Sequence, residues 1–155
     1  MTDFEAVVRD CLVEVGVQIS ECRFGVYDCS NVDAVHEAGI YVFFDESEAY
    51  YVGESSDIAR RLTKEHCSAH IGGSEGIVRF LMNYLEDICE NKNAWTGLNP
   101  KSREDFVEGL VRERIDKLKI YAVTCNTLRN EGRVKNRLRI ELEKCLKARL
   151  RPKLN

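Results

Sequence analysis

Two tyrosines ten residues apart, Tyr41 and Tyr51, and an arginine ten residues beyond them, Arg61, are the side chains whose types and spacing could do chemistry. A phenol orients a water molecule, or takes its proton when its pKa is brought below the usual value of about 10. A guanidinium presents a planar fork that bridges phosphate oxygens. The elements around them are those of a hairpin. Residues 39–44 (GIYVFF) and 49–52 (AYYV) are runs of β-branched and aromatic residues, and 45–48 (DESE) is a polar turn between them. A register that sends Tyr41 and Tyr51 to one face brings them close. The cap-like cluster Glu54-Ser55-Ser56-Asp57 and the amphipathic start Ile58-Ala59-Arg60-Arg61-Leu62 then predict a helix over 56–66. Ile58 and Leu62 set its inward face. Arg61 follows Ile58 by three and lies at the edge of that face, whereas Arg60 points away. The plainer alternative for Arg61 is an ion pair with Asp57 or Glu65, each four residues away.

The C-terminal run LEKCLKARLRPKLN adds a carboxylate. Val134, Leu138, Leu142, Cys145 and Leu146 form the apolar stripe of a helix expected over 128–150, and Glu141 and Glu143 flank it on opposite edges. Periodicity does not choose between the two.

Taken together, Gly39-Ile40-Tyr41, Tyr51-Val52-Gly53, Arg61 and the ending Pro152-x-x-Asn155 resemble the GIY-YIG nuclease superfamily. Its core has a tripeptide on each of two strands, an Arg on the next helix and a distant Glu. Aligning Pro152 and Asn155 on the family's Pro-x-Tyr-Asn ending places that Glu at Glu143, with Leu154 where the family often has Tyr. The resemblance spans residues 38–155 and implies a three-stranded antiparallel core. It implies catalysis by Tyr41, Tyr51, Arg61 and Glu143, with Gly39 and Gly53 leaving room for close approach. It implies one divalent cation, Mg²⁺ or Mn²⁺, held by Glu143, and DNA as substrate. Family members often carry a His or Tyr one turn after the Arg. Here that position is Glu65, and His66 is one residue later.

At 155 residues, with 44% hydrophobic and 32% charged residues, the chain reads as one soluble domain with no membrane span and no secretory leader. Its seven cysteines include no Cys-x-x-Cys pair, so reduced thiols in an intracellular (cytoplasmic) protein are the expectation. Net charge is −3, unevenly spread. Residues 1–50 hold eleven acids and two bases, and residues 128–155 hold ten bases and three acids. The basic candidates for phosphates are Arg129, Arg133, Lys135, Arg137, Arg139, Lys144, Lys147, Arg149, Arg151 and Lys153. Arg149, Arg151, Lys153 and Asn155 are assigned to DNA contact. The acidic third is expected to face away from nucleic acid, or toward a protein partner.

The expected fold is α+β, a small three-stranded antiparallel sheet flanked by helices, with residues 1–37 as a helical extension packed on the core. Helices are read at 3–15, 56–66, 77–89, 102–116 and 128–150, and strands at 39–44, 49–53 and 118–125. Residues 17–27 read as a strand or as irregular cover. His66, Cys67 and His70 lack the second cluster that a zinc site needs. Gly72-Gly73-Ser74 reads as a turn, and Trp95 as a loop residue packed on the domain. Two functional classes follow: a metal-dependent endonuclease, or a GIY-YIG-fold module that binds nucleic acid or protein with weak or no catalysis.

Overall fold

The structure, a computed structural model, describes residues 4–46, 48–132 and 134–155. Ser47 in the expected turn, Arg133 among the candidate bases and the first residue of the expected 3–15 helix lie outside the described residues. Helix α1 is Phe4–Glu14. Strand β1 is Cys22–Tyr27, β2 is Gly39–Phe44 and β3 is Ala49–Ser55. Helix α2 begins at Ile58–Arg61 and continues as a π turn over Leu62–His66. Helices α3 (Glu75–Asn83), α4 (Leu85–Glu90), α5 (Lys92–Thr96) and α6 (Pro100–Ile115) precede β4 (Lys119–Cys125), and α7 is Arg137–Leu150.

The protein is α+β. Its sheet is antiparallel with the order β1-β4-β2-β3, so the expected three-stranded core is present and a fourth strand extends it at one edge. That strand comes from the ambiguous segment 17–27. Alternation divides the hairpin between two cores. Tyr41, Phe43 and Tyr51 face a layer built with Ile58, Leu62, Ile77, Phe80 and Ile115. Ile40, Val42 and Val52 face α1 and α7 through Val8, Leu12, Leu142 and Leu146. Tyr41 stands opposite Gly53 and Tyr51 opposite Phe43, so the two phenols share a face on a diagonal.

Three expectations are corrected. The last helix starts at Arg137, not near 128. Asn136 caps it by accepting from the Arg139 amide at 3.1 Å, and Gly132 holds a left-handed backbone in the turn before it. Val134 therefore lies outside the stripe and is exposed. The 77–89 helix is two helices divided at Tyr84, and 90–100 contains α5. Asn99 rather than Ser102 caps α6, accepting from the Ser102 amide at 2.9 Å with Pro100 in the first turn.

A further correction concerns the cysteines. They are not reduced: Cys11–Cys145, Cys22–Cys125 and Cys29–Cys67 are disulfides, leaving Cys89 free. Partners lie 134, 103 and 38 residues apart, so no local spacing announces them. Each forms where tertiary packing joins two elements: α1 with α7, β1 with β4, and the loop after β1 with the end of α2. The intracellular expectation rested on reduced thiols and loses that ground. Among the described residues no helix is long and apolar enough to cross a membrane.

The tail covers the β3 edge. Arg151 adopts a left-handed conformation that ends α7, and Pro152 follows it. Lys153 and Leu154 then donate their amides to the Ala49 and Tyr50 carbonyls at 2.9 and 2.8 Å. Asn155 completes the ladder with its side chain, accepting from the Val52 amide at 3.0 Å and donating to the Val52 carbonyl at 2.6 Å.

Alkylation of the denatured protein without reductant should add one label, at Cys89, and seven after reduction. Seven labels before reduction would return the cysteines to the thiol state.

Candidate active site

Tyr41 and Tyr51 stack with ring centroids 6.3 Å apart on the helix-covered face of the hairpin. Glycine makes the fit. A Cβ on Gly53 would lie 2.4 Å from Tyr41 Cζ, and one on Gly39 would lie 2.0 Å from the Val123 carbonyl oxygen. Asp57 starts α2 by accepting from the Arg60 amide at 2.9 Å, which exposes Arg60 and turns Arg61 inward over buried Ile58 and Leu62. Arg61 pairs with Glu65 at 2.7 Å, and its charge bears on the Tyr41 hydroxyl. Both readings of this residue therefore hold at once: it has the i,i+4 partner and its charge reaches the phenol.

The π turn supplies a residue that the sequence reading left among weak metal ligands. The Cys67 amide donates to the Leu62 carbonyl at 2.8 Å, five residues back, which widens the helix by one residue. His66, five after Arg61, thereby comes one turn beyond it. It is fully buried, with Nε2 2.9 Å from the Tyr41 hydroxyl and its ring packed on Tyr51, Phe43 and Phe80. A histidine one residue late in a helix is the signal that could have found it. Cys67, tied to Cys29, is unavailable as a ligand beside it.

Burial governs the protonation states. Desolvation raises Tyr41 far above the usual phenol value, opposed by the Arg61 charge. Desolvation also raises Tyr51, with Glu143 adding to the rise and Arg61 and Arg79 opposing it. Both phenols are neutral at neutral pH. Desolvation, with the Arg61 charge behind it, pushes the His66 imidazole down to about 3. Nδ1 of this neutral ring is buried without a hydrogen-bond partner, as are Arg61 Nε and Ser74 Oγ. An orphaned N–H costs more than an orphaned lone pair. This favours the tautomer in which Nε2–H donates to the Tyr41 oxygen. That oxygen then receives His66, with the Arg61 charge nearby.

Glu143 sits on α7, and its charge reaches both phenols. It is half-buried and paired with Lys147 at 3.0 Å. Glu141 is more exposed and pairs with Arg137 at 2.7 Å. The structure thus sets Tyr41, Tyr51 and Arg61 together, with Glu143 near enough for its charge to bear on both phenols. Among the described residues no three His, Cys, Asp or Glu side chains cluster as a metal cage. A lone, partly exposed carboxylate fits a hard cation that keeps most of its water.

The basic C-terminus is less free than its composition suggests. Arg149 pairs with Asp10 at 3.3 Å and Glu14 at 2.6 Å, so the acidic α1 packs on the basic α7 instead of facing away from it. Arg139 is buried against Glu54, and Lys153 lies 3.4 Å from Glu48. Among the described residues Arg129, Lys144 and Arg151 make no ion pair. Asn155, assigned to DNA, has both amide atoms on the Val52 backbone. Trp95 carries the Arg103 guanidinium on its ring at 4.3 Å, the packing role expected for it.

The family model of the GIY-YIG catalytic domain matches residues 37–94, the segment that carries both tyrosines and Arg61, and this match supports the GIY-YIG nuclease superfamily. The match supports activity of nuclease type, and such nucleases typically use divalent metal ions. No curated protein and no solved structure matches the chain.

An unfolded chain protonates His66 below about 6.5, while the folded one refuses the proton until about 3. Stability contributed here is therefore lost as pH falls through that window. Thermal melts from pH 7 to 4 should show a shallower decline for His66→Gln than for the parent. Parallel declines would mean that His66 titrates normally.

Proposed function

We propose that this chain is a metal-dependent endonuclease that hydrolyses DNA phosphodiester bonds with one divalent cation, Mg²⁺ or Mn²⁺. The nearness of the Tyr41, Tyr51 and Arg61 cluster to Glu143, whose charge bears on both phenols, carries the reading. The catalytic unit is residues 38–155, with 1–37 packed on it as an extension. Glu143 holds the cation, which when bound supplies Lewis acidity at the phosphate and the leaving oxygen. Arg61 turns its fork, including the unpartnered Nε, to the phosphate oxygens as charge develops. Tyr51 takes the proton of the attacking water. It retains access to solvent, which the fully buried Tyr41 lacks, and Arg61 and Arg79 both favour its phenolate. Tyr41, fixed by His66, orients that water from beneath. Arg129, Lys144 and Arg151 provide phosphate contacts, joined by Arg149 and Lys153 when their acidic partners release them.

The second reading, a GIY-YIG-fold module binding protein or nucleic acid with weak catalysis, is favoured by one observation. Most of the described C-terminal bases already have carboxylate partners.

Nicking of supercoiled DNA in Mg²⁺ or Mn²⁺ separates the two. Glu143→Ala should abolish nicking and Glu141→Ala should leave it. Arg61→Ala should slow it by about 10²–10³, the usual loss for one charge-stabilising donor, and Arg60→Ala by less than about twofold. Activity that survives Glu143→Ala but not Glu141→Ala would misplace the carboxylate, and no activity in any metal would promote the binding module.

Because the Tyr51 phenol is raised above its ordinary value, the rate should climb with pH through neutrality with no plateau below about pH 9. Tyr51→Phe should flatten that climb and Tyr41→Phe should keep it. The reverse pattern would exchange the two roles.

A further inference from the structure

Lys147 stands one helical turn beyond Glu143, with Nζ 3.0 Å from its carboxylate. The Glu143 charge bears on both tyrosines, and the Lys147 charge also reaches Glu75 at the start of α3. Glu75 in turn binds Arg79, whose other guanidinium nitrogen holds the Leu154 carbonyl at 2.9 Å. Carboxylates and cations thus alternate beside the tyrosines: Glu143, Lys147, Glu75, Arg79. An ammonium is a compact point charge on a flexible stem, able to leave one partner for another at small cost. An exposed pair at this helical spacing contributes little by itself. Glu143 is different from other paired carboxylates of the chain because its charge bears on both phenols.

We infer that Lys147 is an internal counter-ion for the metal-binding carboxylate: it occupies Glu143 in the resting protein, must be displaced when a divalent cation binds, and is then free to meet a phosphate oxygen. This rests on the reading of Glu143 as the metal ligand. The argument is electrostatic. A divalent cation on Glu143 would lie within a few ångströms of the ammonium, and like charges at that range repel strongly even in a solvated pocket. The displaced stem carries its charge toward the only strong anion that enters with the cation, the DNA backbone. Metal and DNA then bind cooperatively, each removing an obstacle to the other. Lys147 acts through Glu143 and is a positioning residue.

Manganese titration of the DNA-free protein, read by the loss of the free Mn²⁺ paramagnetic resonance signal, tests this without cleavage. Lys147→Gln should bind Mn²⁺ about tenfold more tightly than the parent, and Lys147→Arg about as weakly as the parent. Adding a non-hydrolysable phosphorothioate duplex should tighten Mn²⁺ binding in the parent and leave Lys147→Gln nearly unchanged. Glu143→Gln should lose the site in either background. Equal affinities for parent and Lys147→Gln, with the site still lost in Glu143→Gln, would overturn the counter-ion role and leave the metal assignment standing. Mn²⁺ binding indifferent to Glu143→Gln would overturn the metal assignment and the counter-ion role with it.

Discussion

The site depends on one constraint: two phenols are kept dry on the same face of a sheet, within reach of a guanidinium. Drying raises both above their ordinary pKa, and only donors and cations placed beside them bring the ionised form back within reach. The rest of that face serves the arrangement. Phe43, Phe80 and His66 seal the ring stack, and glycine at 53 lets the Tyr41 ring lie on the strand. The π turn is the least replaceable part. An ordinary helical turn would carry His66 about 100° round the axis, away from the Tyr41 oxygen.

The opposite face of the sheet holds the carboxylate in position. Helix α7 is clamped by a buried Arg139–Glu54 pair, with Arg139 also donating to the Leu128 carbonyl at 2.9 Å. Leu142 and Leu146 pack beneath it. Removing one partner of such a pair leaves a buried charge and typically costs about 3–5 kcal/mol, so the helix that presents Glu143 has one favoured seat. Helix α1 secures it from outside through the Cys11–Cys145 bond and the Arg149 ion pairs. The acidic first third is a brace for the basic last third, and the net charge of each says little about the surface either one offers.

How much of this was legible follows from range. The hairpin is legible, at its true bounds in β2 and two residues short in β3, because β-branched and aromatic runs around a polar turn are local signals. Arg61 was separated from Arg60 by counting along one helix. Glu143 could not be separated from Glu141 by periodicity, since the distinction lies in how α7 sits against an edge strand more than eighty residues earlier. The length of α7 was overread because charged residues continue across a turn that Gly132 and Asn136 define. The disulfides were invisible for the same reason as the role of His66. Both depend on which elements meet, and nothing in the residues flanking a cysteine records its partner.

The three bonds have a property that their positions alone dictate. Cys29–Cys67 lies inside the interval closed by Cys22–Cys125, which lies inside the one closed by Cys11–Cys145. The rings are concentric and none interlocks with another, so they can close in any order without threading the chain. An oxidised denatured chain is then a set of loops within loops, far more compact than a linear polymer, with less surface newly wetted on unfolding. Its denaturant response should be correspondingly shallow, and reduction would change the unfolded ensemble more than the folded one.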